Sequence, residues 1–179
     1  MKATTQSRIA LSWPGARPPR GLAGAGLVAP LEQFLLGLGF RRAALNVRFI
    51  GDAAMRRLNA RYRGKDAPTD ILSWSYLESP PSRTGEPPLL GELAVSLAQA
   101  RKQALENGWD LRTEVLRLLA HGCAHLAGYT HDTAAEDRRM CRVEVRLLAR
   151  AGLRGLYPST ARAFSKPEPA RRRKRAGRA

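Results

Sequence analysis

"LLAHGCAHLAGYTHD", residues 118–132, holds His121, His125 and His131, all three histidines of this 179-residue chain. The residues leading into it, "LRTEVLRLLA" at 111–120, repeat apolar side chains at helical spacing behind Asp110, a residue type that caps helix starts. On that helix His121 and His125 lie four apart, so their rings project from one face about one turn apart and can share a metal ion. Gly128 suits the left-handed backbone that ends a helix, after which the chain can turn so that His131 approaches from the other side. The expectation is a three-histidine metal site at the end of a helix with a fourth position left for water, the pattern of catalytic rather than structural zinc. Imidazole also suits nickel and iron, so ligand type alone leaves the metal open.

The spacing H-x-x-x-H-x-x-G-x-x-H matches the metzincin protease signature at every position but the second, where the protease has its general base Glu and this chain has Gly122. Glu114 lies on the same helix face two turns earlier, about 10 Å along the axis, too far to replace that base. A protease is therefore disfavoured. Phosphoryl chemistry stays available, because an open metal site acidifies water and polarises a phosphoryl oxygen without a neighbouring Glu.

Towards the N-terminus, "RIALSW" (8–13) reads as a first strand, and "PGARPPRG" as the irregular connection after it. A helix is expected over about 28–38, ending at Gly39, followed by a half-buried strand in "AALNVRFIGD" with Leu45, Val47 and Phe49 inward. "DAAMRRLNARYR" reads as a short helix with Asp52 as its N-cap and Met55 and Leu58 on one face. A strand begins near Asp70. "ESPPSRTGEPP" (78–88) is a loop, "LLGELAVSL" (89–97) another strand, and helices follow through 98–108, from Asp110 to Gly128 and over about 134–150. The order β-α-β-α-β-β-α-α-α predicts a single α+β domain, a mixed sheet of about four strands with helices packed on it.

Thirty-one Lys and Arg against fifteen Asp and Glu give a net charge of +16, which favours a polyanionic partner such as nucleic acid. The stretch 161–179 carries eight of the basic residues against Glu168 alone, a net +7, leaving +9 on the rest. It is expected to be a disordered basic C-terminal tail behind a domain spanning 1–160. Apolar runs are interrupted and far below a membrane span, so no membrane partner and a cytoplasmic location are expected. The two cysteines, Cys123 and Cys141, are too few for a disulfide framework and suit a reducing compartment. Cys123, two residues from His121, falls on another helix face and reads as a buried small apolar residue.

"HGCAHLAGYTHD" resembles the H-G-x-L-H-L-x-G-Y-D-H motif of the YbeY family, metal-dependent endoribonucleases of ribosomal RNA maturation and ribosome quality control. "LNARYRGKDAPTDILSWSY" (58–76) is similar to that family's N-x-x-Y-R-x-x-x-x-P-T-D-V-L-S-F-P segment, with Asn59, Tyr62, Arg63, Pro68, Thr69, Asp70, Leu72 and Ser73 in register. "LLGELAVS" resembles its L-G-D-I-x-I-S strand, and Glu136, Met140 and Glu144 suit its final helix; the resemblance covers about residues 40–150. It implies that His121, His125 and His131 bind zinc, one ion per chain, and that Arg63 is the catalytic and nucleic-acid-binding arginine. The chemistry of a guanidinium, bidentate on phosphate, suits that role, although a surface arginine in so basic a chain has a plainer explanation. Thr69 and Asp70 read as organisers of the turn before the strand.

The chain departs from the family pattern at Thr130, where an Asp is usual. That puts an outer-sphere carboxylate contact in doubt, with Asp132 a candidate substitute. Ala124 for Leu and Trp74-Ser75 for Phe-Pro read as packing changes.

The function expected is a single-strand-specific, zinc-dependent endoribonuclease of small-subunit ribosomal RNA 3′-end maturation and ribosome quality control. Its partners would be ribosomal RNA, the ribosome or its small subunit, and ribosomal proteins. One alternative is an RNA-binding ribosome-assembly factor with structural zinc. A metallopeptidase is a third, opposed by Gly122 and the charge.

Overall fold

Strict alternation in "ALNVRFI" puts one strand at the centre of the molecule. The structure is a computed structural model that describes residues 7–15, 17–23, 25–78 and 86–157. In it strand β2 (Ala44–Ile50) buries Leu45, Val47 and Phe49 on one face of a sheet, as period-two patterning requires. Strand β1 (Arg8–Ser12) pairs parallel with one side of β2, and β4 (Leu89–Ser96) parallel with the other. Strand β3 (Ile71–Ser75) pairs antiparallel with β4, which gives the order β1-β2-β4-β3, the mixed four-stranded sheet expected. Residues 161–179, expected to be a basic tail, and 79–85 of the expected loop lie outside the described residues.

Three helices, α1 (Ala25–Gly37), α4 (Leu111–Leu126) and α5 (Ala134–Arg150), share the main core with that face of the sheet, and Leu97 and Ala100 of a fourth join it. Helix α2 (Asp52–Arg63) covers part of the other face, where Met55 packs with Ile50, Leu72 and Ala94. Helix α3 (Leu97–Asn107) runs directly off β4, capped by Ser96.

Local chemistry explains two differences from the sequence reading. Helix α1 starts earlier than expected and contains Pro30. Pro30 has no N–H for the Gly26 carbonyl four residues back, and Arg112 Nη2 donates to that oxygen at 3.1 Å instead. Asp52 is not the N-cap of α2, which is Gly51. The Asp52 carboxylate instead accepts from Ser96 Oγ at 2.6 Å and Gln99 Nε2 at 2.9 Å, tying the starts of α2 and α3 together.

The end of α4 lies close against the sheet because two glycines allow it. A Cβ on Gly122 would sit 2.8 Å from Ile71 Cδ1 and 2.8 Å from Leu93 Cδ2. A Cβ on Gly91 of β4 would collide with the Trp74 carbonyl oxygen and come within 2.6 Å of Leu126 Cδ2. Ser75 Oγ adds a hydrogen bond at 2.9 Å to the Leu126 carbonyl, so the end of β3 is fastened one residue beyond His125.

Candidate metal centre

Asp110 caps α4 as its sequence position predicts, its carboxylate accepting from the Thr113 N–H at 2.9 Å. Sixteen helical residues later the helix stops, Gly128 turns left-handed at φ +86°, and Tyr129 N–H donates back to the Ala124 carbonyl at 3.1 Å. His131 thereby returns beside His121 and His125, and one ligand atom from each ring lies within 4.8 Å of the other two. His121 and His125 are half-buried and His131 is exposed, so the cluster is open on one side.

The three rings fit a metal ion. His121 Nε2 and His125 Nε2 are 3.1 Å apart; nitrogens about 2.0–2.1 Å from a tetrahedral ion would stand about 3.3–3.4 Å apart. Each of these rings uses its far nitrogen elsewhere: His121 Nδ1 meets Glu144 Oε1 at 2.8 Å, and His125 Nδ1 meets the Tyr129 carbonyl at 2.9 Å. An N–H at each Nδ1 leaves a lone pair on each Nε2, directed at a common point. Burial, then the neighbouring His121 and His131, hold His125 down at about 4, so it is neutral near pH 7 as a ligand must be.

Glu144 is the carboxylate behind His121. It is 5% exposed, and its second oxygen, Oε2, accepts from the Tyr157 hydroxyl. Burial opposes its charge. Hydrogen bonds from His121 and Tyr157 and the charge of Arg117 outweigh that, and the carboxyl stays below its usual range. Burial, together with Glu144, pushes the Tyr157 hydroxyl well up, which keeps it a donor. The charge of Arg117 acts on both Tyr157 and Glu144, and its guanidinium grips Glu114 bidentately, with Nη2 2.6 Å and Nε 3.1 Å from its oxygens. Glu114 is fully buried and committed to that pair, so it supplies no base to the histidines, in keeping with its distance along the helix.

The other residues singled out in the sequence fall as follows. Arg63 is the exposed last residue of α2, the helix that packs on the other face of the sheet. Its neighbour Tyr62 stands edge-on to Trp74 at 5.3 Å, and Trp74 precedes the Ser75 that is fastened to α4, so the two sides approach each other at the end of β3. Thr69 and Asp70 organise the turn: Asp70 Oδ1 accepts from the Ile71 N–H at 2.8 Å and from Thr69 Oγ1 at 3.2 Å. Thr130 lies near Glu136, the acid of the Thr133 capping box that starts α5. Asp132 is exposed and takes no part in the hydrogen bonds around the histidines, so Glu144 rather than Asp132 supplies the outer-sphere carboxylate. Cys123 is fully buried, its thiol pushed up to about 12 by burial, an apolar residue as expected.

The sequence connects Glu144 only to the final helix and does not mark Tyr157. A signal was present for Glu144: an acid inside the apolar stripe Met140–Val143–Leu147 is buried, and a buried acid needs a partner. Nothing local marks Tyr157, because its partners lie on two helices.

A family profile described as Endoribonuclease YbeY matches residues 30–152. A protein of Anaeromyxobacter sp. named "Endoribonuclease YbeY" is 40% identical over 138 residues, 76% of this chain and 70% of its own length. One of the same name from Pelotomaculum thermopropionicum is 42% identical over 129 residues, 71% of this chain and 85% of its own. The solution structure of a Thermotoga maritima protein shares the fold, with a TM-score of 0.53 at 22% identity over 80% of this chain and 88% of that one.

Proposed function

The chain belongs to the YbeY family of endoribonucleases, and on that premise we propose that it is a metal-dependent hydrolase of RNA that processes single-stranded segments of ribosomal RNA. The observation that carries this reading is the convergence of His121 and His125 through Nε2, each oriented from behind by an acceptor at Nδ1, with His131 closing an open three-nitrogen set. These residues would hold one ion, for which zinc is our choice. When bound, such an ion supplies Lewis acidity at a phosphoryl oxygen and lowers the pKa of water. The chain's own groups do the rest. Glu144 and the Tyr129 carbonyl hold the rings in the ligating tautomer, and the exposed side at His131 admits an extended strand. Arg63 would clamp a phosphate brought round the end of β3, where a bidentate guanidinium contact favours the charge that builds at the scissile group.

The setting is proposed as small-subunit ribosomal RNA 3′-end maturation and ribosome quality control, with the ribosome or its small subunit and ribosomal proteins as partners. The +16 charge supports a polyanionic partner. Among the described residues no helix is long and apolar enough to cross a membrane.

The test is an RNA-cleavage assay on structured and unstructured ribosomal RNA fragments. It would compare the zinc-loaded full chain with His125→Ala and Arg63→Ala. His125→Ala should lose zinc and cleavage together, and Arg63→Ala should keep zinc but cleave at least about tenfold more slowly. Cleavage that survives both chelation and His125→Ala would overturn the proposal. Zinc retained with no cleavage of any RNA would favour an assembly factor with structural zinc.

A further inference from the structure

We infer that Tyr157 is a positioning residue of the metal centre, acting through Glu144 on His121. The inference rests on the reading above that the three histidines hold a metal ion. It adds a residue that lies beyond the family-matched span, which ends at 152.

The two half-buried rings are oriented by different means. His125 is set by the Tyr129 carbonyl, a backbone group already fixed by the turn that ends α4. His121 is set by a side chain that crosses from another helix, and a carboxylate can rotate. With only Oε1 held, by His121 Nδ1 at 2.8 Å, Glu144 would have a free rotation and a buried oxygen without a donor. The Tyr157 hydroxyl supplies that donor at Oε2, so both oxygens are anchored and the carboxylate has one orientation.

Tyr157 is itself placed by the packing of the segment that carries it. After α5 the chain reverses at Gly152, with φ +79°, and Leu153 N–H returns to the Leu148 carbonyl at 2.9 Å. Leu153 and Leu156 then pack on the main core and carry Tyr157 back to the seam between α4 and α5. There it lies within the field of the Arg117 guanidinium, which is immobilised by its bidentate grip on the buried Glu114. Arg117 precedes His121 by four residues, so the two project from one face of α4. Between them the hydrogen-bonded chain runs from Tyr157 to Glu144 and from Glu144 to His121.

The experiment measures zinc affinity of the full chain at neutral pH by competition with a chromophoric chelator, for wild type, Tyr157→Phe, Glu144→Ala and the double variant. Tyr157→Phe keeps the ring and removes the hydroxyl. It should weaken zinc binding about tenfold or more, the range for losing an outer-sphere partner of a histidine ligand. In the Glu144→Ala background the same change should alter affinity less than about twofold, because the group it acts through is gone. Tyr157→Phe binding zinc as tightly as wild type would overturn the inference, and so would an equal loss in both backgrounds, the mark of a packing role. If Tyr157→Phe does not fold, the zinc-loaded wild type decides by NMR: a Tyr157 hydroxyl proton in slow exchange with solvent is expected, and its absence overturns the inference. Wild type that binds no zinc would sink the proposed function as well, whereas tight wild-type binding with an unaffected Tyr157→Phe sinks the inference alone.

Discussion

Replacing Gly122 tests whether the histidine window is a protease motif that has lost its base or a surface built for a different packing. A Cβ at this position would stand 2.8 Å from two methyl groups, Ile71 Cδ1 and Leu93 Cδ2, and 3.2 Å from Leu93 Cδ1. Ile71 is 7% exposed and Leu93 1%, so both methyls have little room to retreat. For Gly122→Ala, overpacking of about 1–3 kcal/mol is offset by about 1 kcal/mol of helix propensity. The net is a loss of about 0–2 kcal/mol. Gly122→Glu, which recreates the protease sequence, adds further methylene groups and a carboxylate facing the apolar Ile71 and Leu93, a loss of about 4 kcal/mol or more. In a chain of this size each kcal/mol lowers Tm by about 2–4 °C, so calorimetry should separate the two variants by several degrees. A zinc-loaded Gly122→Glu variant as stable as wild type would refute the packing reasoning, and one that cleaved peptides would refute the chemical reasoning too.

Three further outcomes follow from the same contacts. Gly91→Ala should be at least as damaging as Gly122→Ala in denaturant unfolding, about 2–3 kcal/mol or more, because its Cβ meets the Trp74 backbone as well as the end of Leu126; equal stability to wild type would contradict the close approach of β3, β4 and α4. Arg117→Ala should cost about 3–5 kcal/mol by leaving the buried Glu114 carboxylate unpaired, against a much smaller loss for Arg56→Ala, whose pair with Asp66 is exposed. The metal-free protein should lose stability as pH falls from about 6.5 towards 4, because the unfolded chain protonates His125 at its ordinary 6.5 while the folded chain resists to about 4. The difference between wild type and His125→Gln in urea midpoints across that window isolates the effect, and a flat difference would count against it.

Much of the fold was legible because its signals are local. The alternation in β2, the Asp110 cap and the stop at Gly128 each depend on a few neighbouring residues, and each stands where its chemistry places it. Asp52 shows the limit. An acid at the start of a helix reads as a cap from sequence, but here Ser96 and Gln99, over forty residues away, claim its carboxylate. The same limit hid the outer part of the metal centre. The resemblance drew attention to position 130 for a missing carboxylate, while the carboxylate that orients His121 arrives from α5 at Glu144. Thr130 stands instead near Glu136 at the start of that helix.

Spacing alone therefore did not decide the chemistry of this window; helix rotation did. A motif of H-x-x-x-H places two imidazoles on one face of any helix, and the residue after the first histidine falls about 100° round from it. Which group that residue meets depends on what the helix packs against. In this chain the sheet lies there, with Ile71 and Leu93 filling the space, and glycine fits without displacing them. A base at 122 would be aimed into the core rather than at the metal. Absence of the protease Glu is thus a consequence of seating α4 on β3 and β4. That seating leaves α5 as the neighbour able to reach the back of His121, which is why the orienting carboxylate is Glu144 and why the chain beyond α5 can reach the centre through Tyr157.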